Sequence, residues 1–174
     1  MSAAARVGRL RKPPVVRRRF PPRTLHVVDI ENLAGAAIPS LGQVSEVQGR
    51  YMARLGFGSD DQVVMAASHL GLLNAALGWP HARYRVRSGP DGADLELLDV
   101  LLCENVAVRF THIVIGSGDG IFATAASILA DAGIRVTVVS RRRCLSPRLE
   151  LAAHDVYFID WPPVPARGLP GEVA

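Results

Sequence analysis

Six short runs of apolar, mostly β-branched residues punctuate this chain, and helix-length stretches separate them. The first, Leu25-His26-Val27-Val28, ends on Asp29; the others fall at 62–67, 82–87, 113–115, 134–139 and 156–159. Such runs read as strands, and the continuously apolar ones, at 113–115 and 134–139, read as strands covered on both faces. Helices are predicted at 43–55, 70–77, 92–106, 121–132 and 147–153. Gly133 stops the fourth, and Ser146-Pro147 supplies a cap and a first helical residue to the fifth. Alternation at this spacing predicts an α/β fold, a three-layer sandwich with a mainly parallel central sheet. Ligands of such sheets bind beyond the carboxyl ends of the strands, so the residues that directly follow a strand carry the functional question.

The 174 residues suit one domain with tails. Eight of the 20 Lys and Arg precede residue 24, among them Arg17, Arg18 and Arg19, and no acid does. The remainder sets twelve basic residues against sixteen acidic ones. Residues 1–23 are therefore expected to be a disordered basic arm, 24–160 the folded domain and 161–174 a loose Pro/Gly-rich tail. The arm suits nucleic-acid phosphates through counterion release, and equally suits a solubilising tail. No apolar run approaches the roughly 20 residues that span a bilayer, so a soluble, cytoplasmic protein without membrane contact is expected. Cys103 and Cys144 lie outside any C-x-x-C pattern and are expected as reduced thiols, Cys103 in the core and Cys144 in a loop. Nothing fixes the oligomeric state, and a homodimer stays open.

Three aspartates stand where a site would form. Asp29 closes the first strand in Val28-Asp29-Ile30-Glu31-Asn32, with Asn32 a short turn later; either residue equally suits a cap on a turn or helix. Asp94 heads the helix Asp94-Leu95-Glu96-Leu97-Leu98-Asp99, whose apolar stripe continues at 97, 98, 101 and 102. That points its carboxylate inward, at a cost unless a cation or donors meet it. With Asp91 as N-cap, however, Asp94 is also a residue that the helix dipole favours. Glu96 and Asp99 fall on the solvated face. Asp119 lies in Gly116-Ser117-Gly118-Asp119-Gly120, between a strand and a helix. A dinucleotide fingerprint would need glycine at 121, where the chain has Ile121, and the lysine of a P-loop is missing. Three carboxylates at three strand or helix ends repel one another unless a divalent cation joins them, and Mg²⁺ or Mn²⁺ suits an all-oxygen site.

The histidines show no ligand spacing and read as core or surface residues. Arg141-Arg142-Arg143 follows one strand, and Arg83, Arg85 and Arg87 alternate along another. All six are candidates for holding RNA phosphates near the site, although solvated arginines are the commoner case.

The motifs Val28-Asp29-Ile30-Glu31-Asn32, Gly92-Ala93-Asp94-Leu95-Glu96-Leu97 and Ser117-Gly118-Asp119-Gly120-Ile121-Phe122 resemble, in order and spacing, those of NYN domains. These are a branch of the PIN-like nucleases, and the similarity spans about residues 25–159, closing with His154-Asp155-Val156-Tyr157. The resemblance implies a PIN-like fold in which Asp29, Asp94 and Asp119 bind one or two Mg²⁺ or Mn²⁺ ions. It also implies that Asn32 and Ser117 orient ligands or substrate, and that RNA is cleaved. The family's usual second aspartate, two positions after Asp119, is here Ile121. The expectation is thus a metal-dependent endoribonuclease, with a non-catalytic RNA-binding or regulatory relative as the alternative. A nucleotide phosphoesterase on the same sheet would leave the basic arm without a purpose.

Overall fold

Beyond Thr24, every residue of the first strand, β1 (Thr24–Asp29), is buried. A strand so covered belongs at the centre of a sheet, and in the computed structural model, described over residues 22–160, β1 pairs on both sides. Its partners are β2 (Gln62–Ala67) and β4 (His112–Gly116). β3 (Arg83–Val86) lies beyond β2, while β5 (Arg135–Ser140) and β6 (Asp155–Phe158) extend the sheet beyond β4. All neighbours are parallel, in the order β3-β2-β1-β4-β5-β6. The chain therefore runs outward from β1 to β3, returns, and builds the other half from β4. Between the carboxyl ends of β1 and β4 that reversal leaves a crevice.

Strand alternation sorts the core into two layers. Leu25 and Val27 of β1, with Val64, Ile113, Ile115, Val136 and Val138, pack under α4 (Gly92–Cys103), α5 (Val106–Arg109), α6 (Ala123–Asp131) and α7 (Pro147–Ala152). Val28, Met65, Val114 and Val139 face the opposite way, under α1 (Ile30–Ala34), α2 (Leu41–Leu55) and α3 (Leu72–Gly78). The result is the expected α/β three-layer sandwich. Among the described residues no helix is long and apolar enough to cross a membrane.

Local departures have local causes. α1 was not anticipated, because five residues are too few to show a helical period. The helix expected over 92–106 ends at Cys103: Asn105 takes a left-handed conformation (φ 53°), and α5 starts afresh. Cys103 is exposed rather than buried, and Leu102 is 49% exposed, since the inward stripe of α4 runs through Leu97, Val100 and Leu101. The helix expected from 121 opens as a 3-10 turn at Gly120–Phe122 before α6. Arg23, assigned to the arm, is joined to the body: its carbonyl accepts the Thr111 amide at 3.0 Å and its guanidinium lies over Phe110. The arm residues Arg17, Arg18 and Arg19 and the tail 161–174 lie outside the described residues.

Candidate functional site

Two hydrogen bonds lace the ends of β1 and β4 together, and a local one on each side supports them. Asp29 caps α1, its Oδ1 accepting the Asn32 amide at 3.0 Å, while its Oδ2 accepts the Ser117 hydroxyl at 3.1 Å. Ser117 Oγ in turn accepts the Asp119 amide at 3.2 Å, and Asn32 Oδ1 accepts the Gly118 amide at 3.0 Å. Asp119 turns Oδ1 back to the Ile121 amide at 2.9 Å, capping the 3-10 turn. The capping reading of Asp29 thus holds and Asp119 caps as well, but each carboxylate keeps lone pairs that a cap does not use. Gly118 is required for its lack of a side chain: a Cβ there would collide with the Cys144 carbonyl and the Ser140 hydroxyl, where the loop after β5 crosses.

Asp94 enters from α4. The expected cap at Asp91 does not form: Asp91 is left-handed (φ 54°) and its side chain makes no cap hydrogen bond. The Asp94 carboxylate faces Asp29 and lies within electrostatic reach of Asp119. Burial raises Asp29 to a pKa of about 7, the Asp94 charge adding to it, against the Asn32 amide and the Ser117 hydroxyl that favour ionisation. Burial likewise raises Asp94, to about 6, helped by the charges of Asp119, Asp91 and Glu31. Burial and mutual repulsion thus favour protonation of both carboxyls over ordinary aspartates. Asp94 Oδ1 is closed off from solvent and has no hydrogen-bond partner among the described residues, an oxygen left waiting for a donor or a cation.

Asp29, Asn32, Asp94 and Asp119 line a cavity of about 360 Å³ that runs from the β1/β4 crevice across the ends of β2 and β3. Its wall also carries Glu31 and Asp91, to which the sequence alone gave no role in the site. Glu31 shares a motif with Asp29 and Asn32; its Oε1 accepts the Ser68 amide at 2.8 Å and ties α1 to the end of β2. A carboxylate two residues beyond a strand-ending aspartate was the available signal. As the side chains stand, no group of three or more His, Cys, Asp or Glu among the described residues is arranged to hold a metal ion.

The arginines divide sharply. Arg83 and Arg85 do not serve the site: Arg83 pairs with Glu104 at 2.7 Å, and Arg85 with Glu96 and Asp99 at 2.8 Å each. Glu96 and Asp99 thus brace the β3 edge instead of facing solvent alone. Arg87, two residues on, lines the acidic cavity. Arg141 lies against Gly35, which lines the same cavity, while Arg142 turns away to Asp160 and the Phe158 ring. Arg143 is exposed in the turn. Ile121 packs against the core rather than toward the carboxylates, and Asp155 pairs with Arg135 at 2.8 Å at the opposite end of the sheet.

No family model and no curated protein matches the chain. Among solved structures it is similar to a crystal structure of a protein of unknown function from Vibrio parahaemolyticus RIMD 2210633. The two share 16% identity over 83% of this chain and 97% of the other, with a TM-score of 0.51. At that identity the likeness is one of fold.

Proposed function

We propose that this domain is a Mg²⁺- or Mn²⁺-dependent endoribonuclease of the kind that its resemblance to NYN domains implies, with Asp29, Asp94 and Asp119 as the metal-holding residues. What carries the reading is the Asp29–Asp94 pair at the topological switch point: two facing carboxyls, one almost wholly buried, with protonation raised by burial and mutual repulsion. The sheet order is also that of dinucleotide-binding folds, but Asp29-Ile30-Glu31-Asn32 stands after β1 where the glycines of a pyrophosphate turn belong.

A divalent cation fits the donors present. They are hard oxygens, and Asp94 Oδ1 is sequestered without a partner among the described residues. When bound, such an ion lowers the pKa of a water and stabilises charge on a phosphodiester. The chain's own residues do the rest. Ser117 and the Asn32 amide fix the rotamer of Asp29, and Asn32 Oδ1 holds the loop that carries Asp119. RNA is expected on the basic residues, Arg17, Arg18 and Arg19 ahead of β1 and Arg141 and Arg143 after β5, Arg142 being held by Asp160 and the Phe158 ring.

The second reading, a non-catalytic RNA-binding module, is favoured by Ile121, which puts an apolar side chain where the family has an acid, and by the absence of a ready-made three-ligand group among the described residues. Cleavage of a labelled mixed-structure RNA in Mg²⁺, Mn²⁺ or EDTA separates the two. A nuclease cuts only with metal, and Asp119→Asn lowers the rate by at least about a hundredfold. Binding without metal-dependent cutting selects the RNA-binding module.

A further inference from the structure

We propose that Arg87 and Arg141 are positioning residues that grip two different phosphates of one RNA strand, one on either side of the acidic cavity. The inference rests on the reading of that cavity as the place where a phosphodiester is held. Five carboxylates line it, so a polyanion gains nothing from its walls and must be anchored at its rim. Two arginines reach that rim from opposite halves of the sheet. Arg87 follows β3 and lines the cavity beside Gly89 and Asp91. Arg141 follows β5 and lies against Gly35, a left-handed glycine (φ 70°) at the end of α1; any side chain there would strike the Arg141 guanidinium.

Neither arginine forms an ion pair among the described residues, in contrast to Arg83, Arg85, Arg135 and Arg142, each of which has a carboxylate partner within 4 Å. Arg87 shares the cavity with five acids yet pairs with none, Arg141 lies unpaired against the cavity's Gly35, and a planar guanidinium so placed is suited to a bidentate phosphate contact. The strands that deliver them stand four places apart, on either side of β1 and β4. Arrival from opposite halves of the sheet assigns them to different phosphates, with the one over the carboxylates between them.

The test is binding of a fluorescein-labelled single-stranded oligouridylate to the full-length chain in EDTA, across a salt series. Parent, Arg87→Gln, Arg141→Gln and the double variant are compared, with Arg135→Gln at the far end of β5 as control. Each single variant should bind about tenfold more weakly and flatten the slope of log K against log salt by about 0.7, and the double variant by about 1.4. A merely structural role would lower affinity without moving the slope. Unchanged slopes, a double variant no flatter than a single one, or a parent that does not bind would each overturn the proposal. Flattened slopes from a protein that never cuts RNA would uphold the clamp and sink the nuclease reading instead; cutting with unchanged slopes would do the reverse.

Discussion

Asp94 shows how one side chain carries both the cost and the use of this site. Its carboxylate has a raised pKa because burial and three neighbouring acids oppose its charge, and Asp29 beside it is raised further. A carboxyl whose folded pKa is raised stabilises the fold fully below its unfolded value, near 3.8, and that contribution is lost as pH climbs through the folded value, here about 6 to 7. Metal-free protein should therefore lose stability between about pH 5 and pH 8. Asp94→Asn should reduce that loss and raise metal-free stability at pH 8 by about 1–2 kcal/mol, a figure discounted for its half-exposed setting. Chemical denaturation in EDTA at the two pH values checks this. A variant with the parent's pH dependence would mean that Asp94 carries no strain. The sequence exposed the three aspartates because each sits at a strand or helix terminus. It did not expose Asp91 as an uncapping, left-handed residue, since its conformation follows from how the loop after β3 reaches α4.

At the scale of elements, long periodic segments were legible and their joints were not. The strands were recognisable from apolar runs, and all six form. α1 and α5 were missed because four or five residues carry no period, and their positions depend on Asp29 capping and on a left-handed Asn105. The acid partners of the arginine ladder on β3 were not legible for a related reason. Alternation puts Arg83 and Arg85 on one face, but only the fold brings Glu96, Asp99 and Glu104 under them. Charges along an exposed edge strand also discourage strand addition by another chain. The joint that matters most is the crossing of the loop after β5 over Gly118. Gly118→Ala should push Ser117 off Asp29 and the 118 amide off Asn32, costing about 1–3 kcal/mol of stability. At Gly71, by contrast, the nearest atoms to an added Cβ lie at 3.5 Å, so Gly71→Ala should be tolerated. Thermal melts of the two variants compare them; equal melting temperatures would refute the packing argument.

For the whole molecule, the decisive feature is the order β3-β2-β1-β4-β5-β6, which brings residues 29, 94 and 119 from three distant stretches of chain to one crevice. The alternating pattern implied a parallel sheet and hence a site at its carboxyl edge, but strand order is set by packing and could not be read from the runs alone. Charge follows the same plan: the basic residues before β1 accompany a body in which five of the sixteen acids line the crevice. The central claim is that this crevice binds a divalent cation through Asp29 and Asp94. Calorimetric titration of Mn²⁺ into the full-length protein at neutral pH, alongside Asp29→Asn and Asp94→Asn, addresses it directly. Saturable binding to the parent, weakened at least about tenfold in either variant, is the predicted result; no binding, or equal binding by all three proteins, would contradict it.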